Sequence, residues 1–301
     1  MKLDYRKEIA RAVKDTRERW GGREDIIDAA NMIPHMSEEA VEGIRKMLDV
    51  AYSEEKDAKM DLYFPENQAE KAPVFIEVHG GAWFFGQKSS VEFQPFLYGL
   101  ERGFVVISLG YTLAPQGHYP LPVVQIRKAI KYLKEHAEEL GIDAEEITIL
   151  GGSAGAHLAG LACLSAGDDY LKEYVEKDEA LVKNLILWFG CFNYLIGKRL
   201  EAWQYRNFFG DIDENPKAYQ DMLLSNPALH VSDKMPRTLL VHGTKDGLVS
   251  YEQSVAMYGT MKAIGGEEKV ELRLKEGWDH ADVPFFQREN IIETFDWIQG
   301  K

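Results

Sequence analysis

Short apolar runs rich in β-branched and aromatic residues punctuate the chain from residue 60 onward. They read MDLYF (60–64), PVFIEVHG (73–80), FVVISLGY (104–111), EITILGG (146–152), NLILWFG (184–190), TLLVHG (238–243) and VELRLKEG (270–277). Between several of them lie amphipathic stretches such as PVVQIRKAIKYLKEHAEELG (122–141) and YEQSVAMYGTMKAIGG (251–266). A strand that is apolar on both sides needs cover on both faces, and amphipathic helices between successive strands supply it. The chain is therefore expected to be of the α/β class, a mostly parallel central sheet with helices on both faces. Its 301 residues, 45% of them hydrophobic, suffice for one large core.

Two segments stand outside this alternation. In residues 1–50, Ile9 and Val13, then Val41, Ile44, Met47 and Leu48, recur at helical spacing, with Asn31 to Pro34 as an interruption and Ser37-Glu38-Glu39-Ala40 as a helix start. They are expected to form an N-terminal helical extension, with the main domain over 51–301. Residues 191–236 are too long for a simple connection and rich in Phe, Tyr and Trp. They are expected to be a helical cap insertion over the sheet edge.

In doubly wound sheets, function gathers at the carboxyl ends of the strands. The residues just past those ends are His79-Gly80-Gly81-Ala82-Trp83, Gly151-Gly152-Ser153-Ala154-Gly155, His242-Gly243-Thr244-Lys245-Asp246 and Lys275-Glu276-Gly277-Trp278-Asp279-His280. A serine hydroxyl is a weak nucleophile at neutral pH and needs a base in hydrogen-bond reach. Histidine can take that proton and return it, and a carboxylate on its other nitrogen fixes the tautomer. Ser153, Asp246 and His280 occur in the order expected for a strained strand-to-helix elbow that exposes a serine. Gly151, Gly152 and Gly155 lack the Cβ that would crowd such an elbow. An acyl oxygen also needs donors, and the N–H groups of Ala154, Gly81 and Ala82 are the candidates.

Competing readings exist for each. Ser153 could be an ordinary turn serine, although the other strand-end residues argue against it. Asp279 and Asp282 rival Asp246 as the acid, and the strand-end position favours Asp246. His79 is expected to brace its loop, while His157 and His242 compete with His280 less well. Trp83 and Phe84, with Phe85, could line a substrate pocket or serve the core.

HGGAW, YTLAPQGHYPLP (111–122) and GGSAGAHLAG resemble the esterase/lipase group of the α/β-hydrolase superfamily. Hormone-sensitive-lipase-like esterases carry a comparable glycine loop, a YxLAP stretch and a GDSAG elbow. The glycine before Ser153 and the AHLA after it are closer to carbohydrate acetyl esterases and feruloyl esterases, and kynurenine formamidases carry a similar elbow. The resemblance implies the α/β-hydrolase fold, no cofactor and hydrolysis of a short, acetyl-type ester, carried on a carbohydrate or another small alcohol. Aryl formamide hydrolysis and ligand binding without catalysis are the alternatives. Ala82 stands where the family has a third glycine, which keeps an N–H but changes the width of the loop.

With 35 Lys and Arg against 49 Asp and Glu, the formal charge of −14 disfavours nucleic acid and anionic membranes as partners. Cys163 and Cys191 form no metal-ligand or disulfide framework and are expected to be buried thiols. The charged N-terminus has no apolar signal core, and no run is long enough to cross a bilayer, so the expectation is cytoplasmic. The partner expected is a small-molecule ester, with homo-oligomerisation left open.

Overall fold

The computed structural model describes residues 35–178, 181–194, 196, 206, 208–210, 212 and 214–301. Each apolar run becomes a strand: β2 (Lys59–Phe64), β3 (Ala72–Val78), β4 (Val105–Leu109), β5 (Ile142–Gly152), β6 (Asn184–Trp188), β7 (Arg237–Gly243) and β8 (Val270–Lys275), preceded by β1 (Arg45–Ala51). They form one sheet in the order β1-β2-β4-β3-β5-β6-β7-β8. Pairing is parallel from β4 through β8, whereas β1 and β2 join antiparallel at one edge. All five residues of β4 and all five of β6 are buried, as a two-sided cover requires.

That cover has two layers. Val74, Ile76 and Val78 of β3 pack with α1 (Leu121–Glu135), through Ile126, Ile130 and Leu133, and with Leu158 and Leu161 of α2 (Ala154–Leu164). Phe75, one residue out of phase, faces the opposite core, where Phe295 of the C-terminal helix (Arg288–Gln299) lies 4.9 Å away, ring to ring. The period-two alternation of one strand thus assigns its side chains to separate layers.

Residues 1–34, with Ile9 and Val13, lie outside the described residues. The helical reading of the rest of that segment is corrected by the structure. Ser37 does cap a turn, its side chain accepting from the Ala40 N–H, but this 3₁₀ turn covers only Glu38–Val41. Gly43 then takes φ +74°, and the chain continues as β1 with Met47 and Leu48 exposed. The open edge of β2 offers backbone partners that local helical spacing does not register. The sheet therefore begins at Arg45, ahead of the boundary at 50. Of the 191–236 insertion, the described part holds α3 (Pro216–Leu224), capped by the Asn215 side chain, and a 3₁₀ turn over Pro227–His230. Helix α4 (Glu252–Gly265) follows β7.

One close approach fixes where β5 hands over to α2. A Cβ on Gly155 would lie 2.1 Å from the Val78 carbonyl oxygen and 2.6 Å from that of His79. Neither neighbour is a flexible side chain, so Gly155→Ala should cost about 3 kcal/mol or more. Urea unfolding measures this, and a loss under about 1 kcal/mol would show that helix and strand tolerate more separation.

Candidate active site

Ser153 sits between β5 and α2 with φ 54° and ψ −118°, outside the regions a non-glycine residue normally adopts. Such a conformation costs on the order of 1–3 kcal/mol and persists only where the surroundings impose it. Here the Ser153 N–H donates to the Trp188 carbonyl at 2.9 Å, and its own carbonyl accepts from the His157 N–H at 3.1 Å. Those bonds lock the turn and turn the hydroxyl toward the β7 and β8 loops.

The structure brings the three predicted side chains together. His280 Nε2 lies 2.9 Å from Ser153 Oγ, and His280 Nδ1 lies 2.7 Å from Asp246 Oδ2. Since a carboxylate can only accept, Nδ1 carries the hydrogen and Nε2 is left to accept from the serine. Asp246 is sealed from solvent and receives four donors. Leu248 N and Val249 N reach Oδ1 at 2.9 and 2.7 Å, and His242 Nε2 reaches Oδ2 at 3.1 Å beside His280. Burial pushes this carboxyl up, but the charge of His280 and the hydrogen bonds from His242 and His280 outweigh it and hold the group well below the usual carboxylate range. The rival Asp279 points elsewhere, its Oδ1 accepting from the backbone N–H groups of Gly247 and His280. Asp282 caps the following turn through the Val283 N–H.

The HGGAW loop lies directly over the elbow. A Cβ on Gly80 would stand 3.1 Å from the Gly152 carbonyl oxygen and 3.4 Å from Ser153 Cβ. Gly81, Ala82 and Trp83 all take positive φ (116°, 47° and 67°), and the Gly81 carbonyl accepts from both Phe84 and Phe85. Ala82 thus holds a left-handed conformation that glycine adopts more readily. Ala154 is the first residue of α2, so its N–H has no acceptor within the helix and points out of the positive end of the helix dipole.

Bracing for this loop comes from the other motifs. His79 Nδ1–H donates to the Gly80 carbonyl at 2.7 Å, and its ring stacks on Tyr111 at 4.3 Å. The Tyr111 hydroxyl donates to the His79 carbonyl, and Ala114 N–H to that of Trp83, so YTLAP holds the loop from behind. Burial lowers His79 to about 4, opposed by its bond to Gly80, which keeps the ring neutral at working pH. Trp83 and Phe84 are each 1% exposed. The Trp83 indole stacks on Phe208 at 5.0 Å and donates to His157 Nδ1 at 3.1 Å. His157 Nε2 in turn meets the Ser225 carbonyl and the Tyr194 hydroxyl, at 2.9 and 2.7 Å. This histidine ties the glycine loop to the insertion and has no free nitrogen for proton transfer.

Two contributors escaped the sequence reading. His242, weighed only as a rival base, supports Asp246 from behind. Glu92 is half-buried, and burial pushes its carboxyl up to about 7 against the opposing charge of His280. The supporting role of His242 and the nearness of Glu92 to His280 are not marked in the local sequence, because both arise only through the fold. Cys163 and Cys191 are buried free thiols, pushed up to about 12 by burial. Among the described residues, no three His, Cys, Asp or Glu side chains gather as metal ligands, and no helix is long and apolar enough to cross a membrane.

The family model BD-FAE matches residues 60–261, which takes in the glycine loop, the elbow and Asp246. The chain belongs to the BD-FAE family. That places it in the esterase/lipase group of α/β-hydrolases. Esterase LipQ of Mycobacterium tuberculosis is 30% identical over 203 residues, covering 65% of this chain and 47% of that protein. A probable isoprenylcysteine alpha-carbonyl methylesterase of Arabidopsis thaliana is 30% identical over 266 residues, covering 83% and 54%. The chain thus spans about half the length of these curated relatives. Among solved structures, a truncated carbohydrate esterase from gut microbiota superposes with a TM-score of 0.72 at 23% identity, covering 85% of this chain and 95% of that one. The BD-FAE match ends before His280, so the histidine is assigned by geometry alone.

Proposed function

We propose that this chain is a serine carboxylic-ester hydrolase acting through an acyl-enzyme on short, acetyl-type esters of a carbohydrate or another small alcohol. The observation that carries the reading is the unbroken chain Ser153 Oγ, His280, Asp246, with contacts of 2.9 and 2.7 Å, next to a loop of left-handed residues. Ser153 attacks the acyl carbon as His280 takes its proton. The tetrahedral oxyanion meets the N–H groups of Ala154, Gly81 and Ala82, each such donor being worth roughly 3 kcal/mol. His280 then protonates the leaving alcohol, Asp246 stabilising the imidazolium meanwhile. Water repeats the sequence on the acyl-serine and releases the acid, so neither metal nor cofactor is required.

Support for a short acyl group comes from Trp83 and Phe84. Both rings are almost fully buried, Trp83 stacked on Phe208 and Phe84 edge-on to Phe85, and so leave little apolar surface for a long acyl chain. The GGSAGAHLAG elbow supports an alcohol of the carbohydrate esterase kind. The test is hydrolysis of p-nitrophenyl esters from acetate to octanoate beside an aryl formamide. Acetate is expected to be the best ester, with kcat/KM falling at least about tenfold by octanoate, equivalent to roughly 1.4 kcal/mol. A maximum at octanoate would sink the short-acyl part. Turnover of the formamide with no ester turnover would replace the ester reading by the amide one.

A further inference from the structure

His242, the sixth residue of β7, is sealed from solvent beneath the acid loop. Its Nε2 faces two acceptors, Asp246 Oδ2 at 3.1 Å and the Val249 carbonyl at 2.9 Å, so the hydrogen sits on Nε2. Its Nδ1 lies 2.7 Å from the hydroxyl of Ser254 on α4, which donates to it. The ring is thereby held in the tautomer opposite to that of His280. Two imidazole N–H groups converge on one oxygen of Asp246, while the backbone of Leu248 and Val249 anchors the other oxygen.

We propose that His242 is a positioning residue for the reaction: its Nε2–H shares Asp246 Oδ2 with His280 and so sets the pH above which His280 serves as a base. The proposal rests on the reading of Ser153, His280 and Asp246 as the reacting groups. The sign follows from the hydrogen bonds. An imidazolium on His280 is stabilised by the negative charge on Oδ2, and a second donor on that oxygen draws part of this charge away. Without the second donor the imidazolium is favoured, and His280 keeps its proton to higher pH. The carboxylate stays in place meanwhile, because its other oxygen retains both backbone bonds. The charged groups on the elements that carry this chain are Lys245 on the β7–α4 connection, Glu252 at the start of α4, Asp279 and Asp282 on the loop of the histidine, and Glu92. They are common to the wild type and the variants and shift both alike. A histidine that merely fills a buried space would affect stability and leave the pH profile where it is.

The experiment compares wild type, His242→Met and His242→Gln between about pH 5 and 9, recording kcat/KM on p-nitrophenyl acetate and the rate of labelling by a fluorophosphonate. Met fills the volume without a donor, and Gln keeps an N–H in reach. The acid limb is expected to rise by roughly half to one pH unit in His242→Met and to return in His242→Gln. An unmoved limb, or a Gln variant that behaves like Met, overturns the proposal. If His242→Met does not fold, Ser254→Ala removes the bond that polarises the ring; a smaller rise is then expected, and none overturns the proposal. Labelling needs no natural substrate, so it separates the two failures. A wild type that takes no label at any pH defeats the reading of Ser153, and this proposal with it. Normal labelling with an unmoved limb defeats the proposal alone.

Discussion

Ser153→Ala should reduce ester hydrolysis by roughly 10⁶-fold, the scale of loss when the nucleophile of a serine hydrolase is removed. The protein should nevertheless unfold at nearly the wild-type temperature. Both bonds that lock the elbow, Ser153 N–H to Trp188 and Ser153 carbonyl to the His157 N–H, belong to the backbone. Alanine keeps the Cβ and therefore bears the same left-handed strain at φ 54°. What disappears is the oxygen 2.9 Å from His280 Nε2. Oxyanion donors and substrate binding remain and leave a residual rate, about 10³–10⁴-fold above water in comparable enzymes. Kinetics on p-nitrophenyl acetate, paired with a melting curve, checks both halves. Activity above about one hundredth of wild type at an unchanged melting temperature would remove Ser153 from the chemistry.

The elbow was legible in the sequence because its demands fall on a few adjacent residues. Gly151 and Gly155 stand where a Cβ would meet backbone at 2.3 and 2.1 Å, so the spacing of small residues records the crossing of strand and helix. Strand ends were legible for a similar reason, since runs such as TLLV and FVVIS stop abruptly at polar residues. Residues 45–51 were not, because a helical recurrence of Met47 and Leu48 says nothing about an open strand edge waiting in β2. Trp83 was ambiguous in sequence, and Phe208 and His157 from remote segments decide its place in the core. His242 presents the same difficulty more sharply. Its position four residues before Asp246 suits a rival base, and only the fold shows both of its nitrogens engaged by the acid loop and α4.

Asp246→Asn should lower kcat/KM by roughly 10⁴-fold, the loss associated with forcing the wrong histidine tautomer. The four donors around Asp246 make the reason specific to this site. An amide has one accepting oxygen and one donating nitrogen, yet each oxygen of Asp246 faces two N–H groups. With its NH₂ toward Leu248 and Val249, the amide sets donors against backbone donors that cannot move. With its NH₂ toward His280, it drives the hydrogen from Nδ1 to Nε2, where it meets the Ser153 hydroxyl and ends the capacity to take a proton. The second arrangement costs less, because the His280 imidazole can change tautomer and the His242 N–H keeps the Val249 carbonyl as its acceptor, whereas the two backbone donors have no such alternative. The variant should therefore fold, lose most activity near neutrality and recover part of it at high pH, where hydroxide can substitute for the missing base. Asp279→Asn, by contrast, keeps an oxygen for the Gly247 and His280 N–H groups and should lose less than about tenfold. A larger loss from Asp279→Asn than from Asp246→Asn would reverse the assignment of the acid.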